Sequence, residues 1–278
     1  MRGRERLSFV KINNSEKYHP NHKKSKFTKK KLLIFIISYK ASFRVLDVYN
    51  KIPFNKIKKF KTNVLISDDY SNDETIFYIK KIKKKKNVHI NFNKINLGYG
   101  AHIKKCLNFA IKKNFHYAIM LHGDNQYDPK YIPKLLNIAA SSNDNNVIAI
   151  TGSRLKKGYV SAMSQMPKYK LLGNILLTKF FNFLFSQNFT DAHTGLWLYN
   201  LDYIKNINYK LLTNKLNFDH ELRFKSINDN KIIKEISIDA KYGDERSQLH
   251  IIYALKFVFC SILFFLHKKK IIKITKFL

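Results

Sequence analysis

The chain is poor in the residues that mark stapled extracellular scaffolds: 2 Cys, 5 Pro and 9 Gly among 278 residues. Cys106 and Cys260 lie far apart in apolar, helix-like surroundings, which excludes a disulfide framework and suits buried thiols in a reducing compartment. The sequons at Asn13 and Asn188 are then chance matches. No internal repeat and no Pro/Gly/Ser-rich linker divides the chain. Acid is scarce too, 19 Asp+Glu against 52 Lys+Arg, for a formal charge of +33. Among the bases arginine is the rare one, 7 against 45 lysines. Groove and phosphate readers favour Arg, whose planar fork binds phosphate and guanine in bidentate fashion. A lysine excess spread over the chain with 28 Asn therefore looks like compositional drift, and nucleic acid is not the expected partner. No apolar run with a small-residue cleavage site follows the N-terminal charges, so a secretory signal is not expected.

What is present argues for a folded body. Apolar residues make up 45%, with 22 Phe and 16 Tyr, enough for a buried core. Residues 1–31 carry eleven Lys/Arg and two Glu without apolar periodicity and read as a disordered basic arm. From residue 32 short apolar runs (Leu32–Ile37, Val64–Ile66, Tyr117–Leu121, Val147–Ile150) suit strands buried on both faces of a parallel sheet. Val88–Phe92 alternates apolar with polar and suits a strand nearer an edge. Helical spacing fills the intervals: Phe43–Lys51, Asp73–Lys84, Tyr99–Lys113 and Pro129–Ala140, the last opened by Asp128 as N-cap. This βαβ series predicts an α/β fold, a mostly parallel Rossmann-like sheet flanked by helices.

Polar clusters follow the strands: Ser38-Tyr39-Lys40, Asp68-Asp69, His122-Gly123-Asp124 and Gly152-Ser153-Arg154. Ligands of open parallel sheets bind outside the carboxyl ends of the strands, so four clusters on one edge predict a site. Each cluster alone also fits a helix cap. A Gly-x-Gly-x-x-Gly after the first strand is absent, which disfavours a dinucleotide-binding dehydrogenase, and Gly98-Tyr99-Gly100 suits a tight turn opening a helix. Asp124 and Gln126, two apart at a strand end, are hard oxygen ligands suited to Mg²⁺ or Mn²⁺ shared with a diphosphate. Asp68 and Asp69 can accept hydrogen bonds from a base or ribose, and Arg154 can pair with phosphate oxygens. Together they describe a site for a nucleotide-diphosphate leaving group.

The blocks Ile37-Ser38-Tyr39-Lys40, Ser67-Asp68-Asp69-Tyr70-Ser71-Asn72-Asp73-Glu74-Thr75, Asn96-Leu97-Gly98-Tyr99-Gly100-Ala101, His122-Gly123-Asp124-Asn125-Gln126-Tyr127-Asp128-Pro129 and Gly152-Ser153-Arg154 resemble, in order and spacing, those of family 2 glycosyltransferases. The likeness runs over residues 32–247 and is greatest to the dolichyl-phosphate sugar synthase branch and its bacterial relatives. It implies a GT-A fold, a nucleotide-diphosphate sugar donor, a divalent metal and inversion at the anomeric carbon. Carried over, Ser38, Tyr39, Asp68, Asp69, Gly98, Asp124 and Arg154 bind the donor, and Asp124, Gln126 and His122 are the metal candidates. Thr190-Asp191-Ala192-His193-Thr194-Gly195-Leu196 is similar to the block whose aspartate faces the transferred sugar or acceptor. Phe218-Asp219-His220-Glu221-Leu222 resembles the next acidic block. Asp191 and then Glu221 are the candidate catalytic bases, and Arg246-Ser247 the acceptor-binding end of the core. His122 stands where the family's metal motif usually has an aspartate. Either Asp124 and Gln126 carry the metal with the donor phosphates, the preferred reading, or His122 contacts the donor sugar.

The acceptor divides the mechanism. A glycan hydroxyl needs a general base; a polyprenyl phosphate is already an anion and needs only positioning by Arg154, Arg246 and lysines. Residues 248–278 read as a C-terminal apolar and basic helix. Its run Ile251–Leu266 falls short of the roughly 20 residues that span a bilayer. Two readings stand side by side: a helix packed on the sheet, or a monotopic anchor that puts Phe257, Phe259, Phe264 and Phe265 into an anionic membrane surface. The expected location is cytoplasmic, peripheral on the inner face of the membrane, with a role in cell-envelope glycans. The alternative function is a polyanion-binding protein on a degenerate transferase scaffold, which steep salt-dependent RNA or DNA binding would mark.

Overall fold

Six unbroken apolar residues, Leu32–Ile37, form the body of the interior strand β1 (Lys31–Ser38). The structure is a computed structural model and describes residues 29–82, 87–141, 146–163, 166–239 and 251–277. Beside β1 lie the parallel strands β2 (Lys61–Asp68) and β4 (Tyr117–His122), and β3 (Val88–Phe92) forms the edge beyond β2. On the other side come β6 (Trp197–Asn200), β5 (Val147–Ser153) and β7 (Ile232–Ser237), giving the order β3-β2-β1-β4-β6-β5-β7. β6 runs antiparallel to both β4 and β5, and the other pairings are parallel. The expected α/β class and mostly parallel sheet are observed. β6 and β7 were not among the strands read from the sequence.

The expected helices form as α1 (Arg44–Asn50), α2 (Thr75–Ile82), α3 (Tyr99–Lys112) and α4 (Ile132–Ser141), the last entered through a 3₁₀ turn, Pro129–Tyr131. Asp128 caps that turn, its side chain accepting from the Lys130 amide, as the Asp-Pro pair predicts. α5 (Tyr159–Met163), α6 (Lys168–Phe185), α7 (Leu201–Asn206) and α8 (Phe218–Asn228) complete the body, and α9 (Ile251–Lys268) follows. Two cores cover the sheet. One packs α1, α2 and α4 on the face bearing Leu32, Ile34 and Ile36. The other packs α3, α6, α8 and α9 on the face bearing Leu33, Phe35 and Ile37, the alternation a strand imposes.

Lys31, read as the end of the basic arm, opens β1, and residues 1–28 lie outside the described residues. α9 is packed on the domain. Phe257 and Phe264 are buried, and the Phe264 ring stacks on Phe224 of α8 at 4.3 Å and meets Phe277 edge-on. Among the described residues no helix is long and apolar enough to cross a membrane. Because Phe264 fills this cluster, Phe264→Ala is expected to cost about 3–5 kcal/mol of stability, measured by denaturant unfolding of the whole chain.

Candidate active site

The carboxyl ends of β1, β2, β4 and β5 coincide, as the register Ser38↔Asp68 and Ile37↔His122 requires. An antiparallel strand starts where its parallel neighbours end. β6 begins at Trp197 opposite Met120 and Thr151, so the segment Asp191–Leu196 is delivered to the same edge. Tertiary pairing thus brings the 190s block to the clusters named from the sequence.

The two β2 carboxylates shape the edge from within. Asp68 accepts from the Ser71 amide at 2.8 Å and the Ser71 hydroxyl at 2.6 Å. Burial raises its pKa, opposed by those bonds. Asp69 accepts from Asn93 Nδ2 and from the backbone amides of Leu97 and Gly98, and so ties the loop before α3 to β2. Gly98 has φ +80°, and a Cβ on Gly100 would lie 2.5 Å from the Thr213 carbonyl oxygen; both positions need glycine. Lys40, Ser42, Tyr70 and Asn125 hold positive φ in the loops after β1, β2 and β4, so backbone strain gathers at this edge. Ser38 is buried while Tyr39 and Tyr70 stand exposed beside it.

His122 closes β4 between two rings, Tyr99 at 5.9 Å and Tyr127 at 5.2 Å. A Cβ on Gly195 would lie 2.6 Å from His122 Nε2, so the 190s segment passes directly over the imidazole. Burial holds the His122 pKa below the ordinary value against the pull of the Asp124 charge, so the ring is neutral at pH 7. Its Nε2 is buried and has no hydrogen-bond partner among the described residues. Asp124 Oδ1 accepts from the Gln126 amide at 2.9 Å, which closes a turn between the two residues.

Arg154 and Asp191 form a buried ion pair. Arg154 Nε and Nη2 donate to Asp191 Oδ2 and Oδ1 at 2.7 and 2.9 Å, and the Arg154 amide donates to Oδ2 at 3.1 Å. Burial pushes the Asp191 pKa up, but the guanidinium charge and these bonds outweigh it and leave the carboxyl below its ordinary range. Glu235 of β7 holds the same segment, accepting from the Thr190 amide and hydroxyl and the Asp191 amide. Asp191, a base candidate by resemblance, is here the partner of Arg154. Glu221, the second candidate, is buried on α8; it accepts from the Thr213 amide at 2.7 Å and pairs with Lys276 at 2.5 Å, which ties it to the C-terminal tail.

The carboxyl of α8 that reaches the site is Asp219. It accepts from the Tyr99 hydroxyl at 2.6 Å, and Tyr99 packs on His122. Burial pushes its pKa up to about 7, opposed by the Tyr99 bond and by Arg223. The sequence block named the acidic cluster; the helical turn that sends Asp219 toward Tyr99 and Glu221 toward the tail had no local signal. Arg246 and Ser247 lie outside the described residues.

As to a metal, among the described residues no group of three or more His, Cys, Asp or Glu is arranged to hold an ion. The donors present are one carboxylate, one amide and a neutral imidazole whose Nε2 lacks a partner. That set fits a hard divalent cation which takes its remaining ligands from a bound diphosphate rather than a closed protein cage.

A mostly parallel sheet with acidic and cationic groups gathered on its carboxyl edge places the chain among Rossmann-like α/β folds that carry their sites at that edge. The model of glycosyl transferase family 2 matches residues 34–207, and the chain belongs to that family. An uncharacterized protein of Methanocaldococcus jannaschii is 27% identical over 162 residues, 55% of this chain and 66% of the relative. The low-salt glycan biosynthesis hexosyltransferase Agl6 of Haloferax volcanii is 36% identical over 86 residues, 31% of this chain and 20% of the relative. The chain thus spans just under two-thirds of the first relative's length and a fifth of the second's. In fold it resembles glucosyl-3-phosphoglycerate synthase of Mycobacterium tuberculosis at 9% identity, covering 86% of this chain and 80% of that one. The TM-score is 0.60 to the complex with phosphoglyceric acid and 0.57 to the complex with Mn²⁺, UDP and glucosyl-3-phosphoglycerate. This likeness establishes the GT-A fold.

Removing the Asp191 carboxylate strands a buried guanidinium. Asp191→Ala is expected to lower stability by about 3–5 kcal/mol in chemical denaturation.

Proposed function

We propose that the protein is an inverting hexosyltransferase that moves a sugar from a nucleotide-diphosphate donor to a nucleophilic acceptor. The observation that carries this reading is the convergence of Asp68–Asp69, Asp124–Gln126 and Arg154 on one sheet edge, in a chain matched to the family over residues 34–207. That solved relatives in fold bind Mn²⁺ or Mg²⁺ with UDP supports a nucleotide donor and a divalent cation here. Tyr39 and the β2 edge hold the nucleoside, with Asp68 and Asp69 keeping the loops that frame it. Asp124 and Gln126 hold the cation, which when bound supplies charge to the departing diphosphate. His122 remains neutral beneath the donor phosphates and adds no charge to the site.

Asp219 is the base in this reading when the acceptor is a hydroxyl. A carboxylate whose pKa lies near 7 takes a proton at neutral pH far better than one held down by a guanidinium, as Asp191 is. Tyr99 bonds Asp219 Oδ2 and sits against His122, so the base stands one side chain from the donor edge. A polyprenyl phosphate acceptor needs no base and would leave Asp219 a positioning role.

Asp124→Asn is expected to abolish sugar transfer, measured as nucleotide release with Mn²⁺ across a panel of nucleotide-sugars, while the thermal melt is unchanged. Unchanged turnover would overturn the assignment of Asp124.

For a hydroxyl acceptor the transfer rate should fall as pH drops through about 7, and Asp219→Asn should remove transfer at every pH. A phosphate acceptor would show neither effect. Because the native state keeps the Asp219 proton that the unfolded chain releases, stability should decline as pH rises from about 4 to 7. Asp219→Asn should flatten that decline in thermal melts.

A further inference from the structure

Seven of the nineteen exposed large apolar side chains among the described residues lie on α6 and α9. On α6, Tyr169, Leu172, Leu176 and Phe183 recur at i, i+3, i+7 and i+14, one face of a helix, and Phe183 is 84% exposed. On α9, Leu255, Phe259 and Ile262 repeat the pattern at i, i+4 and i+7, with Phe259 62% exposed. The opposite stripes, Phe181 and Phe185 on α6 and Phe257 and Phe264 on α9, are buried in one shared core, with Phe181 and Phe257 6.1 Å apart. Two packed helices that bury the same side present their other sides outward together. A patch of large side chains this exposed on a monomer marks a docking surface.

Charge indicates what covers it. Neither helix contains an acid; α6 carries Lys168, Lys170 and Lys179, and α9 carries Lys256 and Lys268, followed by Lys269 and Lys270. A second copy docked through a twofold axis would set these lysines against themselves, which is repulsive. A nucleic acid would leave the phenylalanines and leucines in water. A bilayer surface with anionic headgroups satisfies both features, taking the apolar stripes into the acyl boundary and the lysines at the phosphates.

We infer that α6 and α9 together form a monotopic docking face for an anionic lipid bilayer. α6 carries the larger share of the exposed face, with four large exposed apolar side chains against three on α9. α6 leads through a five-residue loop to Asp191, and on the buried side of α9 the Phe257 ring packs at 4.6 Å from His193 and 4.4 Å from His220, so both helices are anchored next to the site. The inference concerns binding only and does not depend on the transferase reading.

The test is co-sedimentation of the full chain with phosphatidylcholine vesicles, with and without phosphatidylglycerol. The wild type should pellet with the anionic vesicles. The triple variant Leu176→Ser, Phe183→Ser, Phe259→Ser, altered only at exposed positions, should keep its thermal melt and partition roughly tenfold or more weakly. Three results would overturn the inference: a wild type that stays in the supernatant, a variant that pellets equally and so binds by lysine charge alone, or a wild-type dimer in solution that the triple variant abolishes.

Discussion

The site depends on one buried ion pair. Arg154 ends β5 and Asp191 lies before β6, 37 residues later, and their side chains are almost wholly out of water. Unpaired, either charge would be untenable in that setting, so the pair fixes where the 190s segment crosses the sheet edge. Glu235 adds a third strand to the arrangement through the Thr190 and Asp191 amides. From that crossing follow the path of Gly195 over His122 and the neutral state of the imidazole. The carboxyl edge of the sheet thereby holds this pair of charges compensated within the protein itself.

Several carboxylates named as donor-binding or catalytic candidates are occupied within the protein. Asp68 closes a turn on Ser71, Asp69 draws the loop before α3 to the sheet, and Asp191 holds Arg154. Such bonds preorganise a binding edge, because loops that are already held need no ordering when ligand binds. Asp219 differs: burial raises it to the pKa range useful for proton transfer, and the Tyr99 hydroxyl orients it.

Most of the first half of the fold was legible along the chain. The unbroken apolar runs at β1 and β4 suit strands covered on both faces, as they prove to be, and the alternation of Val88–Phe92 correctly marks the edge strand β3. β6 was not legible, since four residues that run straight into α7 carry too little pattern. α6 was also missed; its apolar residues occur all round the helix, with one stripe in the core and one in solvent. α9 was legible as a helix, but its apolar content alone does not say which phenylalanines face the core.

The sequence by itself determined the class of fold, the carboxyl-edge position of Asp68, Asp69, Asp124 and Arg154, and the family blocks, because strand periodicity and the residues just after each strand are local properties. Tertiary structure decided the roles. Whether a carboxylate is a base, a tether or an ion-pair partner depends on what reaches it from elsewhere. Arg154 lowers Asp191, Lys276 engages Glu221, and Tyr99 finds Asp219 across 120 residues of chain. Burial and a distant partner set a carboxyl's chemistry, and neither is written in its immediate neighbours.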